Sequence, residues 1–249
     1  MRIATWNLAR ARPSSRRAAA LQAQMRAIDA DLWVLTETWV GLAPSPEHRL
    51  VARAAAAADR DARRGEVWTA IWSRLPAEPL SSAAEPDRCA AARIAPAGHP
   101  PFLCFGSVLP WLSDGRRLPL RGAPAFLAAL AEQRAGWLAL RAQHPGAGLV
   151  LAGDLNQDLA PVHYYGSRAG RDALRQALAA DRLACLTAGD AARPGQADAT
   201  GTRRAHIDHI CVSPELAGQS VGTWPAGELP ANLSDHYGVW ADLALPAAR

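Results

Sequence analysis

Short apolar runs that stop abruptly at polar residues recur along the whole chain. Runs at 3–6, 32–36, 67–73, 90–94, 102–109, 149–153, 206–212, 219–224 and 238–243 have strand length and are rich in aliphatic and aromatic side chains. They are predicted β-strands. Helical periodicity predicts a helix over 15–28, where Ser14 or Ser15 can cap the first turn, and a second over 123–143. Leu127, Leu130, Leu138 and Leu140 supply the apolar stripe of the second. A third helix fits 168–180. Segments 41–64 and 74–100, broken by Pro44, Pro46, Pro76, Pro79, Pro86 and Pro96, read as loop-rich. A purely parallel doubly wound sheet needs a helix between nearly every pair of strands, and the second half of the chain lacks them. The pattern therefore predicts an α+β sandwich, with two sheets packed face to face and flanked by helices. No internal repeat or low-complexity linker divides the sequence, so one domain over 1–249 is expected.

The polar residues sit where the strands end. Trp6-Asn7, Thr36-Glu37-Thr38, Gly153-Asp154-Leu155-Asn156 and Ser234-Asp235-His236 all occupy such positions, and His206-Ile207-Asp208-His209 falls inside a strand. In an extended chain residues i and i+2 share a face about 6.5 Å apart, so Asp154 and Asn156 are expected to address one substrate while Leu155 points to the core. Carboxylates, an amide and a histidine gathered at strand ends suit a hard divalent cation with a phosphate beside it. Mg²⁺ takes oxygen ligands, keeps several waters, and is held by one or two carboxylates plus phosphate oxygens. Glu37 and Asp235 fit such an open site. A histidine next to a carboxylate keeps its imidazolium form, which suits charge neutralisation on a phosphoryl oxygen, and His236 with Asp208 is the candidate pair. Structural readings are assigned elsewhere: Gln157 to the turn, Asp158 to a solvated or capping role, His209 to the opposite sheet face, and His48, His99 and His144 to the surface.

Composition changes this picture little. A net charge of +4 and a pI of about 9.2 are compatible with a phosphate-bearing partner. All 27 basic residues are arginine, however, and alanine is abundant, a bias that codon composition produces without any nucleic acid. The pairs Arg16-Arg17, Arg63-Arg64, Arg116-Arg117 and Arg203-Arg204 are scattered. Cys89, Cys104, Cys185 and Cys211 form no CxxC pair, which argues against a structural zinc site or a disulfide framework and leaves buried thiols. The stretch MRIATWNLARARPSSRR has no apolar run of signal-peptide length, and nowhere are there 18 consecutive apolar residues. The expectation is a cytoplasmic protein without a membrane span. In HYYGSR, residues 163–168, Tyr164 or Tyr165 could stack on a base, the alternative being ordinary loop packing.

The ordered set TWN (5–7), LTE (35–37), GDLN (153–156), IDHI (207–210) and SDH (234–236) resembles the endonuclease/exonuclease/phosphatase superfamily, which shares the fold of deoxyribonuclease I. The resemblance implies a four-layered sandwich of two mixed sheets between helices. It also implies a role at each matching position: Glu37 as metal ligand, Asn7 supporting the metal directly or through water, and Asp235 as the acidic residue beside it. Asp154 matches the aspartate that orients or deprotonates the attacking water, and Asn156 the amide that contacts phosphate. His236 matches the histidine that hydrogen-bonds the phosphoryl oxygen, with Asp208 holding it. The implied cofactor is Mg²⁺, with Mn²⁺ as the alternative. The implied activity is hydrolysis of a phosphodiester by in-line attack of water, with DNA or RNA as first choice of partner. A phospholipid head group or small phosphate ester is the second choice, and a non-catalytic phosphate- or nucleic-acid-binding module is the rival of another class. Two departures narrow the match. Where many members carry His or Tyr at the end of the middle strand, this chain has FGSVLPW (105–111), so either Ser107, Trp111 or Asp114 takes over part of that contact or the phosphate is held without it. Thr38 after Glu37 and Leu8-Ala9-Arg10 after Asn7 count against the abasic-site repair branch, and Ala205 to His209 against the inositol polyphosphate 5-phosphatase branch.

Overall fold

The computed structural model describes residues 1–55, 63–82, 84–115, 119–161, 163–188, 206–224 and 233–247. Arg116, Arg117, Arg203 and Arg204 lie outside them. One sheet contains β1 (Arg2–Asn7), β2 (Leu32–Trp39), β3 (Arg49–Arg53), β4 (Glu66–Ser73), β11 (Ala217–Trp224) and β12 (Gly238–Ala244), in the order β11-β12-β1-β2-β4-β3. The other contains β5 (Ala77–Leu80), β6 (Ala90–Ile94), β7 (Phe102–Val108), β8 (Gly148–Asp154), β9 (Ala184–Cys185) and β10 (Asp208–Val212), in the order β5-β6-β7-β8-β10-β9. Each sheet is mixed and has one parallel pair: β1 with β2, joined through α1 (Arg16–Ile28), and β7 with β8, joined through α2 (Gly122–Gln143). The third helix, α3 (Arg168–Ala180), packs beside α2.

Side-chain alternation along the strands builds the layers. Ile3, Leu32, Val34 and Ile71 from one sheet meet Ala152, Val150, Ile210 and Phe102 from the other in an apolar seam. The opposite parity, Ala4, Trp6, Trp33 and Leu35, packs on Leu21 and Met25 of α1. Phe105, Leu149 and Leu151 face Phe126, Leu130, Trp137 and Leu174 of α2 and α3. The result is helix, sheet, sheet, helices, as the motifs implied.

The helices begin where capping places them: Ser15 accepts from Ala18 N and Ser167 from Gly170 N. The stripe assigned to α2 needs correction. Leu130 and Leu140 are buried, but Leu127 and Leu138 are 39% and 37% exposed, because the packed face follows Phe126, Leu130, Gln133, Trp137 and Leu140. Strands β3 and β5 form inside segments read as loop-rich, and the two-residue β9 where no strand was expected; β3 and β5 are short edge strands, and Pro79 sits in β5 at the sheet edge, where a missing N–H is tolerated. The strand expected at 206–212 starts only at Asp208. His48 is buried rather than at the surface, its ring 2.8 Å from Ser45 Oγ and 2.9 Å from the Ala30 carbonyl. Cys89, Cys104 and Cys211 are buried, Cys185 is half-buried, and all four are free thiols. Among the described residues no helix is long and apolar enough to cross a membrane.

Candidate active site

The apolar seam between the sheets becomes polar at one end, where β1, β2 and β8 finish and β10 begins. By strand parity Asn7 and Asp154 end the inward rows begun by Ile3 and by Val150 and Ala152, and Asp208 starts the inward row of Ile210 and Val212. Glu37 lies on the outward parity with Trp33 and Leu35. Its backbone takes a left-handed φ of 43°, which breaks the alternation, and its carboxylate meets Asn7. Among the described residues seven non-glycine positions have positive φ, and four of them, Ala9, Arg10, Glu37 and Asn156, belong to this end of the seam. Such conformations persist where surrounding structure over-determines them, here through bonds from Leu8 N to Thr36 O and from Arg10 N to Glu37 O.

Asn7 is the hub. Its amide oxygen accepts from Ala9 N at 2.9 Å, which turns the amide nitrogen inward. That nitrogen lies 3.0 Å from Glu37 Oε1, 3.1 Å from Asp154 Oδ2 and 3.4 Å from His236 Nε2. The Ser-Asp-His segment is tied to the same strand: Ser234 Oγ donates to the Asn7 carbonyl at 2.6 Å, and Trp6 Nε1 donates to the His236 carbonyl at 3.0 Å. His236 Nδ1 lies 2.6 Å from Asp208 Oδ2, the pairing expected from the sequence. The other Asp208 oxygen, Oδ1, is buried with no hydrogen-bond partner among the described residues. Asp154, Asp208 and His236 each offer a ligand atom within 4.8 Å of the others.

Electrostatics follow from this crowding. Burial raises the Asp154 pKa; His236 pulls it back, Asp208 and Glu37 push it further, and the outcome is about 7. Burial works against a charged His236, but Asp208, Asp154 and Asp235 outweigh it and carry the imidazole to about 10. His236 is therefore an imidazolium near neutral pH. Asp154 is poised between its two forms.

The remaining expected residues are placed less simply. Asp154 and Asn156 do not share a pleated face. Asn156 has φ 49°, its N–H donates to Asp154 Oδ1 at 3.1 Å, and its amide donates to the Leu109 carbonyl at 2.8 Å. Gly153 allows the close approach this needs, since a Cβ there would lie 2.0 Å from the Ser107 carbonyl oxygen. Leu155 is buried in the helix-side core, as expected. Asp235 is exposed at the rim and adds its charge to His236. The three candidates for the middle-strand contact are engaged with other side chains. Ser107 donates to Gln133 on the helix side, Asp114 pairs with Arg88, and Trp111 lies against Trp68. Asp158 is fully buried rather than solvated. Its carboxylate accepts from Ala160 N, Tyr164 N and Tyr165 N, and Gln157 accepts from Ser167 N. His209 points to the outer face near Cys185 and Thr187.

Three contributors have no strong sequence signal. Arg10 Nε lies 3.4 Å from Glu37 Oε2 and 3.2 Å from Glu66 Oε1, bracing the glutamate from outside. Tyr237 and His206 line a cavity of about 280 Å³ together with Tyr164, Tyr165, Ile207, Asp235 and His236. Adjacency to the SDH and IDHI motifs was the available cue for both.

Comparison with known proteins adds the following. The Endonuclease/Exonuclease/phosphatase family matches residues 4–236. A search of curated proteins found no match. Among solved structures, a mannosyl-6-phosphatase from Bacteroides thetaiotaomicron aligns with a TM-score of 0.68 at 17% identity, over 98% of this chain and 100% of that one. A 3′-5′ exonuclease from Neisseria meningitidis aligns at 0.65 and 20% identity, over 97% of this chain and 99% of the other. The endonuclease domain of a telomere-specific non-LTR retrotransposon aligns at 0.62 and 17% identity, over 98% of each chain.

Proposed function

The chain belongs to the endonuclease/exonuclease/phosphatase family, and we propose that it is a divalent-metal-dependent phosphoesterase that hydrolyses a phosphodiester, with nucleic acid as substrate class. The observation that carries the reading is the Asn7 amide nitrogen, within 3.4 Å of Glu37, Asp154 and His236 at once. A carboxylate, a base candidate and an imidazolium are thereby fixed around one small volume.

The donor set fits a hard cation. Among the described residues, carboxylate oxygens from Glu37, Asp154 and Asp208 outnumber the cations Arg10 and His236 there, and the unpartnered Asp208 Oδ1 is a buried acceptor in need of one. Glu37, braced by Asn7 and Arg10, would hold Mg²⁺ or Mn²⁺, with Asp235 adding charge from the rim. When bound, the ion supplies charge neutralisation at the phosphate and the leaving oxygen. The chain's own groups do the rest. Asp154, with its pKa near 7, orients a water and takes its proton. His236, kept charged by Asp208, donates to a phosphoryl oxygen and stabilises the charge that grows there. The Asn156 amide retains one N–H beyond its bond to Leu109 for the same oxygen set.

Hydrolysis of a bis-aryl phosphodiester and of DNA, with and without Mg²⁺, tests the reading. Turnover in both Mg²⁺ and its absence after chelation would remove the metal role, and no turnover on either substrate would sink the assignment. A second reading, hydrolysis of a small phosphate ester, draws on the narrow cavity beside His236; it predicts turnover that is insensitive to salt, whereas a nucleic-acid substrate loses binding steeply as salt rises.

A further inference from the structure

We propose that the cavity beside His236 is a base subsite, which takes the nucleobase next to the hydrolysed phosphate so that the substrate is presented one base at a time. This rests on the phosphodiesterase reading above and names the group that the site recognises.

The chain has only three tyrosines, and all of them, Tyr164, Tyr165 and Tyr237, line this one cavity. Ile207 adds an aliphatic wall, while Asp235 and His236 form the side shared with the phosphate site. Tyr164 remains 46% exposed, a large aromatic surface left open at the mouth. Its loop is nevertheless firmly built. The buried Asp158 carboxylate accepts the N–H groups of Tyr164 at 2.5 Å and Tyr165 at 2.8 Å, Gln157 Oε1 accepts Ser167 N at 3.2 Å, and Arg175 donates to the Leu159 carbonyl at 3.0 Å. Anchoring the backbone this way while leaving the rings at a cavity is an arrangement for contact with a ligand, since aromatic faces hold bases by stacking.

A second observation comes from His206. Its Nε2 lies 2.6 Å from the Thr187 carbonyl, so that nitrogen carries the proton and donates. Its Nδ1 is then a bare acceptor, buried and without a partner among the described residues. Aromatic and aliphatic side chains beside an unpartnered imidazole nitrogen fit a planar heterocycle bearing an N–H. A sugar asks for a polar partner at each hydroxyl, and among the described residues the wall away from Asp235 and His236 offers only His206 and the phenol hydroxyls. At about 280 Å³ the cavity is at the small end of ligand pockets. A base seated there has left its duplex stack, so the substrate is a strand end or an unpaired or extruded nucleotide.

Calorimetric titration decides the matter, with uridine 5′-monophosphate, its N3-methyl derivative, ribose 5-phosphate and mannose 6-phosphate as probes, each in chelator and again in Mg²⁺. Uridine monophosphate should bind at least tenfold more tightly than ribose 5-phosphate, and N3-methylation should remove most of that gain. Tyr164→Ala and Tyr165→Ala should each shrink the gap while leaving ribose 5-phosphate affinity unchanged, which also reports that the phosphate site is intact. Equal affinity for base-bearing and base-free phosphates overturns the subsite, as does tighter mannose 6-phosphate binding or a gap that survives in both variants. The bis-aryl diester, which carries no base, separates the two claims. Hydrolysis without base preference overturns the subsite alone, and base preference without hydrolysis overturns the function reading alone.

Discussion

Two aspartates buried to nearly the same degree, Asp181 between α2 and α3 and Asp154 at the sheet ends, have been driven in opposite directions. Asp181 is 6% exposed and Asp154 is 2% exposed. Asp181 receives Arg134 in a two-pronged pair, Nη2 at 2.6 Å and Nε at 2.9 Å, plus Trp137 Nε1 at 2.9 Å. Burial acts to raise its pKa, but these donors outweigh it and the group sits below the ordinary aspartate range. Asp154 has two donors, Asn7 Nδ2 and Asn156 N, both at 3.1 Å, and faces Asp208 and Glu37. Burial of a carboxylate is costly wherever it occurs. Where fixed donors answer that cost the residue is structural, and where they fall short it is left to bind a proton, a cation or a substrate.

The largest effect that this contrast predicts is on rate. Asp154→Asn should lower kcat in Mg²⁺ by at least about 10²-fold, the scale of a lost general base, while Asp181→Asn leaves kcat within about threefold. A loss under threefold at Asp154 would break the comparison. Stability should show the reverse ranking. Asp181→Asn should lower the unfolding free energy by about 2 kcal/mol, the scale of hydrogen bonds to a charged group; Arg134, whose side chain is 37% exposed, keeps the figure from rising further. In chelator at neutral pH, Asp154→Asn should be no less stable than the wild type, because burial together with repulsion from Asp208 and Glu37 outweighs the attraction of His236 for the ionised carboxylate. Denaturant midpoints of the three proteins measure both statements.

The frame of this contrast is legible in the sequence in proportion to how local its causes are. Ser15 and Ser167 cap helices through bonds three residues long, and α3 begins and ends where its pattern says. Asn7, Asp154, Asp208 and His236 converge because strand parity and strand ends place them there, and the five motifs mark those ends. The rest depends on long-range geometry. Glu37 reaches Asn7 only through a left-handed backbone that a strand pattern does not announce. The Leu127 and Leu138 faces are apolar yet exposed, because the approach of α3 and β7 selects a different stripe of α2. Arg10 meets Glu66 across 56 residues of chain. His48 looks like a loop histidine until Ala30 and Ser45 are folded over it.

A smaller effect appears in acid. The folded pKa of Asp181 lies below its unfolded value, so its contribution is fully present above the unfolded pKa of about 3.9 and is lost as pH falls through the lower folded value. The stability gap between wild type and Asp181→Asn should therefore hold at neutral pH and close in strong acid. A gap that persists unchanged at the acid end would mean that packing of the side chain, rather than its charge, holds α2 to α3.

Asp158 provides the finest test, because it is buried with no ion-pair partner among the described residues. Its carboxylate is answered by three backbone N–H groups, from Ala160, Tyr164 and Tyr165. If fixed donors are what makes a buried aspartate structural, an amide that keeps one accepting oxygen should replace it at modest cost. Asp158→Asn should cost about 2 kcal/mol, the scale of a hydrogen bond to a charged group, since its nitrogen now faces an N–H. The tyrosine loop it anchors should loosen with it, weakening uridine monophosphate binding a few-fold while kcat on the bis-aryl diester stays within about threefold, a loss too small for a group in contact with the reacting atoms. A fall of about 10²-fold in that kcat would instead move Asp158 across the line drawn between Asp181 and Asp154, making it part of the chemistry rather than of the loop that frames it.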